Sequence, residues 1–207
     1  MPYYFTAAHG LSLAKEGKSA SLAYSYDPKD PVPTLGLAQL TLPAGPMDQR
    51  KIESRGDVLL FTGEPLEAPL EITGRVRAQL WASSDAADTD LVARLCDVYP
   101  DGRSINICEG ALRARFRDGF EREKLLKPGQ PYELNLDLWS TSIILNKGHR
   151  LRVLITSSSA PGYDPNPNTG SPFRSDTRTQ VAHNTLYLDS AHPSHILLPV
   201  IAQGSGR

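Results

Sequence analysis

The stretch "DTDLVARLCDVYPDGRS", residues 88–104, decides the fold that this sequence predicts. Leucine or alanine occupies every second position in its first half, and this period of two predicts a strand over residues 90–99. In the "YPDGR" segment that follows, proline presets a turn-compatible φ, aspartate accepts local backbone hydrogen bonds, and Gly102 supplies a positive φ. The stretch therefore predicts a β-hairpin whose second strand covers residues 104–114.

Proline and glycine residues also divide the rest of the chain into short runs. Seventeen prolines and sixteen glycines are spread through 207 residues, which leaves little room for helices of ordinary length. Runs with a period of two and β-branched residues predict further strands at 70–80, 132–138, 150–156 and 184–188. We expect one all-β domain over residues 1–207, a sandwich of antiparallel sheets.

Charge and hydropathy exclude several classes of partner. The chain carries 22 basic and 23 acidic residues, so no broad electrostatic footprint indicates binding to nucleic acid or to an anionic membrane. No apolar run approaches the roughly 18 residues of a membrane-spanning helix, and the first residues lack the basic and apolar regions of a signal peptide. We expect neither nucleic acid nor membrane as a partner, and a cytoplasmic location.

The first 57 residues differ from the rest. The segments "YDPKDPVPTLG" at 26–36 and "LPAGPMDQR" at 42–50 are proline-rich and poorly periodic. We expect residues 1–57 to form an irregular lead that packs on the sandwich. Its apolar residues, among them Val32 and Leu37, would present an exposed surface, through which the chain could form a homo-oligomer.

Two cysteines are too few for a disulfide framework. Pairing about the 100–102 turn would place Cys96 and Cys108 roughly opposite each other, on one face of the hairpin. Two buried thiols are the preferred interpretation, because cysteine is so often buried in its reduced form. A disulfide is the alternative, so the sequence leaves their redox state open.

The acidic residues of the opening stretch could offer oxygen ligands to calcium. However, Asp88, Asp90 and Asp97 lack the spacing of an EF-hand loop. Carboxylates at strand entrances more often cap turns or pair with nearby arginines, here Arg94 and Arg103. We therefore predict structural roles and no metal site.

Nucleophilic catalysis needs a positioned nucleophile and a base. No serine stands in a G-x-S-x-G motif, and the nearest match, residues 102–106, lies in the predicted hairpin. The histidines lack the H-E-x-x-H spacing of a zinc site; those considered are His149, His183, His192 and His195. We predict no catalytic residue and no cofactor in this chain, and no turnover by the chain alone.

Six motifs occur in order along the chain and together resemble the C-terminal domain of the cocaine esterase and X-Pro dipeptidyl-peptidase family of serine hydrolases. They are D-P-x-D-P-V-P at 27–33, G-P-x-D-Q-R at 45–50, D-T-D at 88–90, D-V-x-P-D-G-R at 97–103, G-H-R-L-R at 148–152 and N-x-N-T-G at 166–170. The resemblance covers essentially the whole chain. It implies a jelly-roll β-sandwich of the galactose-binding-like type.

The resemblance also implies where catalysis resides. Family members carry their Ser, Asp and His triad in a preceding α/β-hydrolase domain, which we expect as the partner and do not find within residues 1–207. Matching forward from 31–33 places Leu40 and Thr41 at positions that line the substrate cleft in relatives. This chain departs from the family at Leu37, which replaces the second glycine of a Gly-Gly pair.

Two hypotheses of function follow. The first is a non-catalytic domain of a serine hydrolase, acting on esters or X-Pro dipeptides, that completes the substrate cleft and supports the catalytic domain. The second is a free-standing carbohydrate-binding sandwich, since related sandwiches bind sugars through loops at one end. The chain's two indoles, Trp81 and Trp139, argue against the second hypothesis, because they lie within or beside predicted strands rather than in exposed loops. The sequence leaves the parent enzyme's substrate and the oligomeric state open.

Overall fold

The structure is a computed structural model that describes residues 1–17, 19–37, 43–172, 174–175 and 177–201. Within these residues, two antiparallel β-sheets pack face to face, which confirms the predicted all-β jelly-roll sandwich. The elements are β1 (Pro2–Phe5), β2 (Leu11–Ser12), β3 (Ser21–Tyr26), α1 (Arg50–Glu53), β4 (Leu59–Thr62), β5 (Leu70–Ser84), β6 (Asp90–Val98), β7 (Ser104–Arg113), a 3₁₀ turn (Ala114–Phe116), β8 (Tyr132–Leu145), β9 (Arg150–Thr156), β10 (Ala182–Tyr187) and β11 (His195–Leu197).

The larger sheet is built around the long strand β5. One edge of β5 pairs with β8 along most of its length, and the other edge pairs with β11 and then with β10. Strands β2 and β1 extend the sheet beyond β11, and β3 extends it beyond β10. Three of these strands, β1 to β3, belong to residues 1–57, so the expectation of an irregular lead is wrong for that part.

The smaller sheet has the strand order β4-β9-β6-β7. Strands β6 and β7 form the predicted hairpin, and Gly102 in its turn has the expected positive φ of 87°. Strand β9 covers Arg150–Thr156, as predicted from the sequence. In the described part of the chain, no helix has the length and apolar character needed to cross a bilayer.

The main core lies between the two sheets. The rings of Phe5 and Phe61 stack there with their centroids 4.4 Å apart, and Leu80, Leu95 and Val153 are fully buried beside them. Burying one such side chain stabilises the fold by roughly 1.5–3 kcal/mol. The period-two alternation of the central strands supplies these inward-facing residues.

A second, smaller core covers the outer face of the four-stranded sheet. Val32, Ile52 and Val58 pack there against Cys96 and Leu154. Strand β6 is consequently buried along its whole length on both faces. The expectation that Val32 would be part of an exposed apolar surface is wrong, because this second core buries it completely.

The cysteines do not lie on one face of the hairpin. The register pairs Cys96 with Asn106 and Leu95 with Cys108, so Ile107 is an extra residue, a bulge, in β7. The bulge turns Cys108 to the face opposite the one that counting from the turn predicts. Cys96 therefore packs in the second core and Cys108 in the main core, both as free thiols.

Candidate functional site

A groove of about 730 Å³ opens beside the hairpin, where β7 approaches β8; we call it the first groove. Its walls are mainly apolar, with one carboxylate. Prominent lining residues are Leu37, Ile107, Glu109, Leu138, Trp139 and Tyr163. A groove of this size with convergent aromatic and polar groups is the usual geometry of a binding site.

The backbones of β7 and β8 come into direct contact below this groove. A Cβ atom added to Gly110 would lie 2.7 Å from the carbonyl carbon of Asp137 and 3.1 Å from the Cα atom of Leu138. Only glycine fits such an approach between two backbones. We call this contact the seam between the sheets.

Trp139 follows the seam at an irregularity in β8. The pairing of β5 with β8 shifts register between Arg75 and Arg77, opposite Leu138 and Trp139. Trp139 has a φ of 68° and remains 71% exposed, while its backbone amide donates to Asp137 Oδ1 at 3.0 Å. Such a bulge re-aims a side chain, and here it directs an indole into the first groove.

The opposite wall has a second residue in the left-handed region. Leu37 has a φ of 69° and also lines the first groove. Left-handed backbone costs a non-glycine residue roughly 1–2 kcal/mol, and such strain clusters at functional sites. Glycine would adopt this φ without that cost.

The substrate-binding prediction for Leu40 and Thr41 falls outside the described residues and stays a prediction. The described residues on either side are informative. Leu37 and Gly45 exchange two backbone hydrogen bonds, each 2.9 Å long, and both line the first groove. Leu37 and Gly45, the described residues that flank this part of the chain, are therefore held together at the groove.

A buried polar network fixes the lead to the groove floor. Arg94 is buried and donates through Nε to Glu109 Oε2 at 2.6 Å, and through another nitrogen to Gln49 Oε1. Gln49 Nε2 in turn donates to the carbonyl oxygens of Leu35 at 3.1 Å and Met47 at 2.9 Å. The Gln49 of the G-P-x-D-Q-R motif thus ties together the chain just before Leu37 and just after Gly45.

A second buried network holds the loop that carries Tyr163. Asn166 Nδ2 donates to Asp88 Oδ2 at 2.8 Å and to Asp90 Oδ1 at 2.7 Å. Arg115 and Arg113 neutralise these carboxylates through Nε contacts of 2.8 Å and 2.9 Å. Burial raises the pKa of Asp90. The D-T-D and N-x-N-T-G motifs therefore act together as a clamp between β6 and the 157–181 loop.

The prediction that these acids play structural roles agrees with their contacts, but the expected partners were wrong. Arg94 lies directly across the hairpin from Glu109 and pairs with it, and Arg103 pairs with Asp101 at 2.7 Å. Cross-strand register, rather than closeness in sequence, selects the Arg94 partner. Among the described residues, no group of three or more potential ligands could hold a metal ion.

Each histidine considered above has an identified contact. His149 Nδ1 is 2.8 Å from Asp97 Oδ1 in a buried pair, and the ring of Tyr99 packs on it at 4.4 Å. The others are His183 with Ser25 Oγ at 2.8 Å, His192 with Asp189 at 3.3 Å and His195 with the Pro193 carbonyl at 2.7 Å.

The contact between Ser25 and His183 brings a serine and a histidine together at the surface. Asp85 is also close, but its Oδ1 accepts from the backbone amide of His183 at 2.8 Å. In a hydrolase triad the carboxylate instead binds the imidazole, which fixes its tautomer and stabilises its charge. The three residues therefore lack the geometry of a triad.

The sequence interpretation missed Trp139 as a site residue, although a signal was present. Leu134, Leu136 and Leu138 are buried at even positions of β8, whereas Leu145 is buried at an odd position. Such a change of phase within one strand is what a bulge produces. The break in alternation marks the place where Trp139 turns outward.

The comparisons with known proteins agree with this architecture. Residues 3–197 match the family described as the X-Pro dipeptidyl-peptidase C-terminal non-catalytic domain. The chain belongs to this family. That membership confirms the resemblance inferred from the six sequence motifs.

Several relatives of this non-catalytic domain are hydrolases. The chain is 42% identical over 200 residues to cocaine esterase from Rhodococcus sp. (strain MB1 Bresler), covering 95% of the chain and 35% of the esterase. Its fold matches an aminopeptidase from a marine sediment Thaumarchaeota archaeon with a TM-score of 0.89, at 29% identity, covering 97% of the chain and 36% of that protein.

An alpha-amino acid ester hydrolase matches with a TM-score of 0.87 at 32% identity, again over 97% of this chain and 36% of that protein. The chain thus spans about a third of the length of these relatives. It corresponds to a hydrolase-associated domain, and two thirds of each relative lies outside the matched region.

Proposed function

We propose that this domain docks on an α/β-hydrolase domain and that its first groove forms one wall of the substrate cleft. The observation that supports it best is Trp139, whose backbone lies in the left-handed region and whose indole is 71% exposed. A large exposed aromatic side chain in a preorganised position is what an interface or ligand anchor requires. The catalytic serine would come from the partner domain, so the isolated chain would be inactive.

Relatives of this chain support the proposal by their names and lengths. Each is a hydrolase, and each has about twice this chain's length of additional sequence. The substrates named for them include esters, and one relative is an aminopeptidase. The groove's walls are mainly apolar, so the part of a substrate that contacts this domain would be apolar.

A chimera tests the proposal. The matched C-terminal region of the Rhodococcus esterase is replaced by this chain, and hydrolysis of a p-nitrophenyl ester is followed. We expect the chimera to turn over and the isolated chain not to. In the chimera, Trp139→Ala should raise KM about tenfold, the effect of losing one well-placed aromatic contact.

Ile144→Ala is the matched control, because Ile144 is 58% exposed on the same strand and does not line the first groove. It should leave KM within twofold of the parent chimera. Two results would reject the proposal: saturable turnover by the isolated chain, or equal KM values for the Trp139 and Ile144 variants.

Carbohydrate binding is a second candidate, and the structure supplies one observation for it. Trp139 is exposed although it lies in a strand, so the sequence argument against an indole platform does not hold. Indoles bind the apolar faces of sugar rings by stacking. Titration of the isolated chain with a panel of oligosaccharides, followed by tryptophan fluorescence, would detect such binding, and its loss in Trp139→Ala would locate it.

A further inference from the structure

The loop at residues 114–126, which we call the anchor loop, carries the most exposed large apolar side chain reported for the described residues. Phe120 is 84% exposed at the tip of this loop, with its ring centroid 5.5 Å from that of Phe116. Exposing a phenyl ring at a loop tip brings no benefit to the stability of an isolated domain. Its position therefore needs an explanation.

The anchor loop is tightly braced at its base. Buried Arg115 donates to Asp88 at 2.8 Å, to Glu123 at 3.1 Å and to the Ser171 carbonyl at 3.0 Å. Backbone hydrogen bonds from Lys124 and other residues close the loop on itself and on the sandwich. The loop backbone is thus a preorganised support, so binding through its tip would require little ordering of the loop itself.

A second groove, of about 710 Å³, lies under the anchor loop. Phe116, Phe120 and Tyr163 line it, and it shares Gly162 and Tyr163 with the first groove. The two grooves are therefore parts of one continuous surface. A partner large enough to cover the first groove would extend over the second.

We propose that the anchor loop is a docking anchor separate from the substrate cleft, with Phe120 inserting into an apolar pocket of the hydrolase domain. This inference rests on the proposed function. The occupant is the hydrolase domain because the surface continues from the first groove. The unmatched two thirds of each relative also supplies a body of sufficient size.

The test separates docking from substrate contact. Phe120→Ser and the control Ile144→Ser are made in the isolated chain and in the chimera described above. In the isolated chain, neither should change the melting temperature, since both side chains are exposed. In the chimera, Phe120→Ser should speed thermal inactivation about tenfold, as expected for losing one buried aromatic anchor, with KM within twofold of the parent.

Each other outcome has a definite meaning. Equal inactivation rates for the Phe120 and Ile144 variants would overturn the anchor alone, provided that Trp139→Ala still raises KM. An inactive chimera, or one insensitive to Trp139→Ala, would overturn the proposed function and the anchor together. A dimer of the isolated chain that Phe120→Ser dissociates would show that a second copy occupies this surface, which also overturns the proposal.

Discussion

Gly110→Ala should destabilise the fold far more than an ordinary glycine substitution, because Gly110 lies at the seam between the sheets. The new Cβ atom would lie 2.7 Å from the Asp137 carbonyl carbon and closer still to its oxygen, whereas ordinary contacts begin at 3.4 Å. The obstacle is backbone, which cannot rotate away. Strands β7 and β8 would have to move apart by about an ångström, which also displaces the bulge at Trp139.

The magnitude follows from the cost of overpacking. Forcing one extra methyl group into a well-packed site costs typically 1–3 kcal/mol and occasionally more. We expect about 3 kcal/mol here, since all the obstructing atoms belong to the backbone of β8. With a urea m-value of about 2 kcal/mol/M, the unfolding midpoint should fall by about 1.5 M.

Gly56→Ala is the matched control, because its Cβ atom would meet nothing within 4 Å. This substitution should stabilise the chain slightly, by about 0.4–1 kcal/mol, through the entropy of the unfolded state. Urea titrations followed by far-ultraviolet circular dichroism would give both midpoints. Equal midpoints for the two variants would refute the direct contact of backbones at the seam.

Glu109→Gln should lower the free energy of unfolding by about 3 kcal/mol, because it leaves a buried guanidinium without its carboxylate; a loss below about 1 kcal/mol in a urea titration would contradict this estimate. Burial raises the pKa of Cys96 and Cys108 to about 12, so at neutral pH both thiols should react with Ellman's reagent only after unfolding. Rapid reaction in the native state would show that they are accessible. The hydrogen bond from the Arg50 side chain lowers the pKa of Asp48 to about 2, so this carboxylate stabilises the fold above the unfolded pKa of about 4 and loses that effect as the pH falls towards 2. Asp48→Asn should therefore flatten the acid dependence of the melting temperature in this range, and an unchanged slope would argue against the pair.

The hairpin of β6 and β7 was predictable because its determinants are local. The turn residues and the alternation on either side of Gly102 act within a few positions of each other. The cross-strand pair of Arg94 and Glu109 was not predictable in this way, because counting outward from the turn places Cys108 opposite Arg94. The bulge at Ile107, which no local pattern marks, shifts the ladder by one residue. It brings Glu109 opposite Arg94 and turns Cys108 to the face away from Cys96.

The candidate site was less predictable because long-range contacts build it. The strain at Leu37 and Trp139 depends on a partner strand and on a loop closure that no short window of sequence contains. The same holds for Gln49, whose amide joins residues on three separate segments. Only the phase change along β8 gave a local indication of the first groove.

Hydroxyl-radical footprinting of Trp139 tests the central claim, that the first groove faces a hydrolase domain, most directly. The isolated chain and the active chimera are exposed to the same radical dose, and oxidation at each position is measured by mass spectrometry. We predict strong oxidation of Trp139 in the isolated chain and at least fivefold protection in the chimera, with Ile144 oxidised equally in both. Equal oxidation of Trp139 in the two proteins, in a chimera that hydrolyses ester, would contradict the claim.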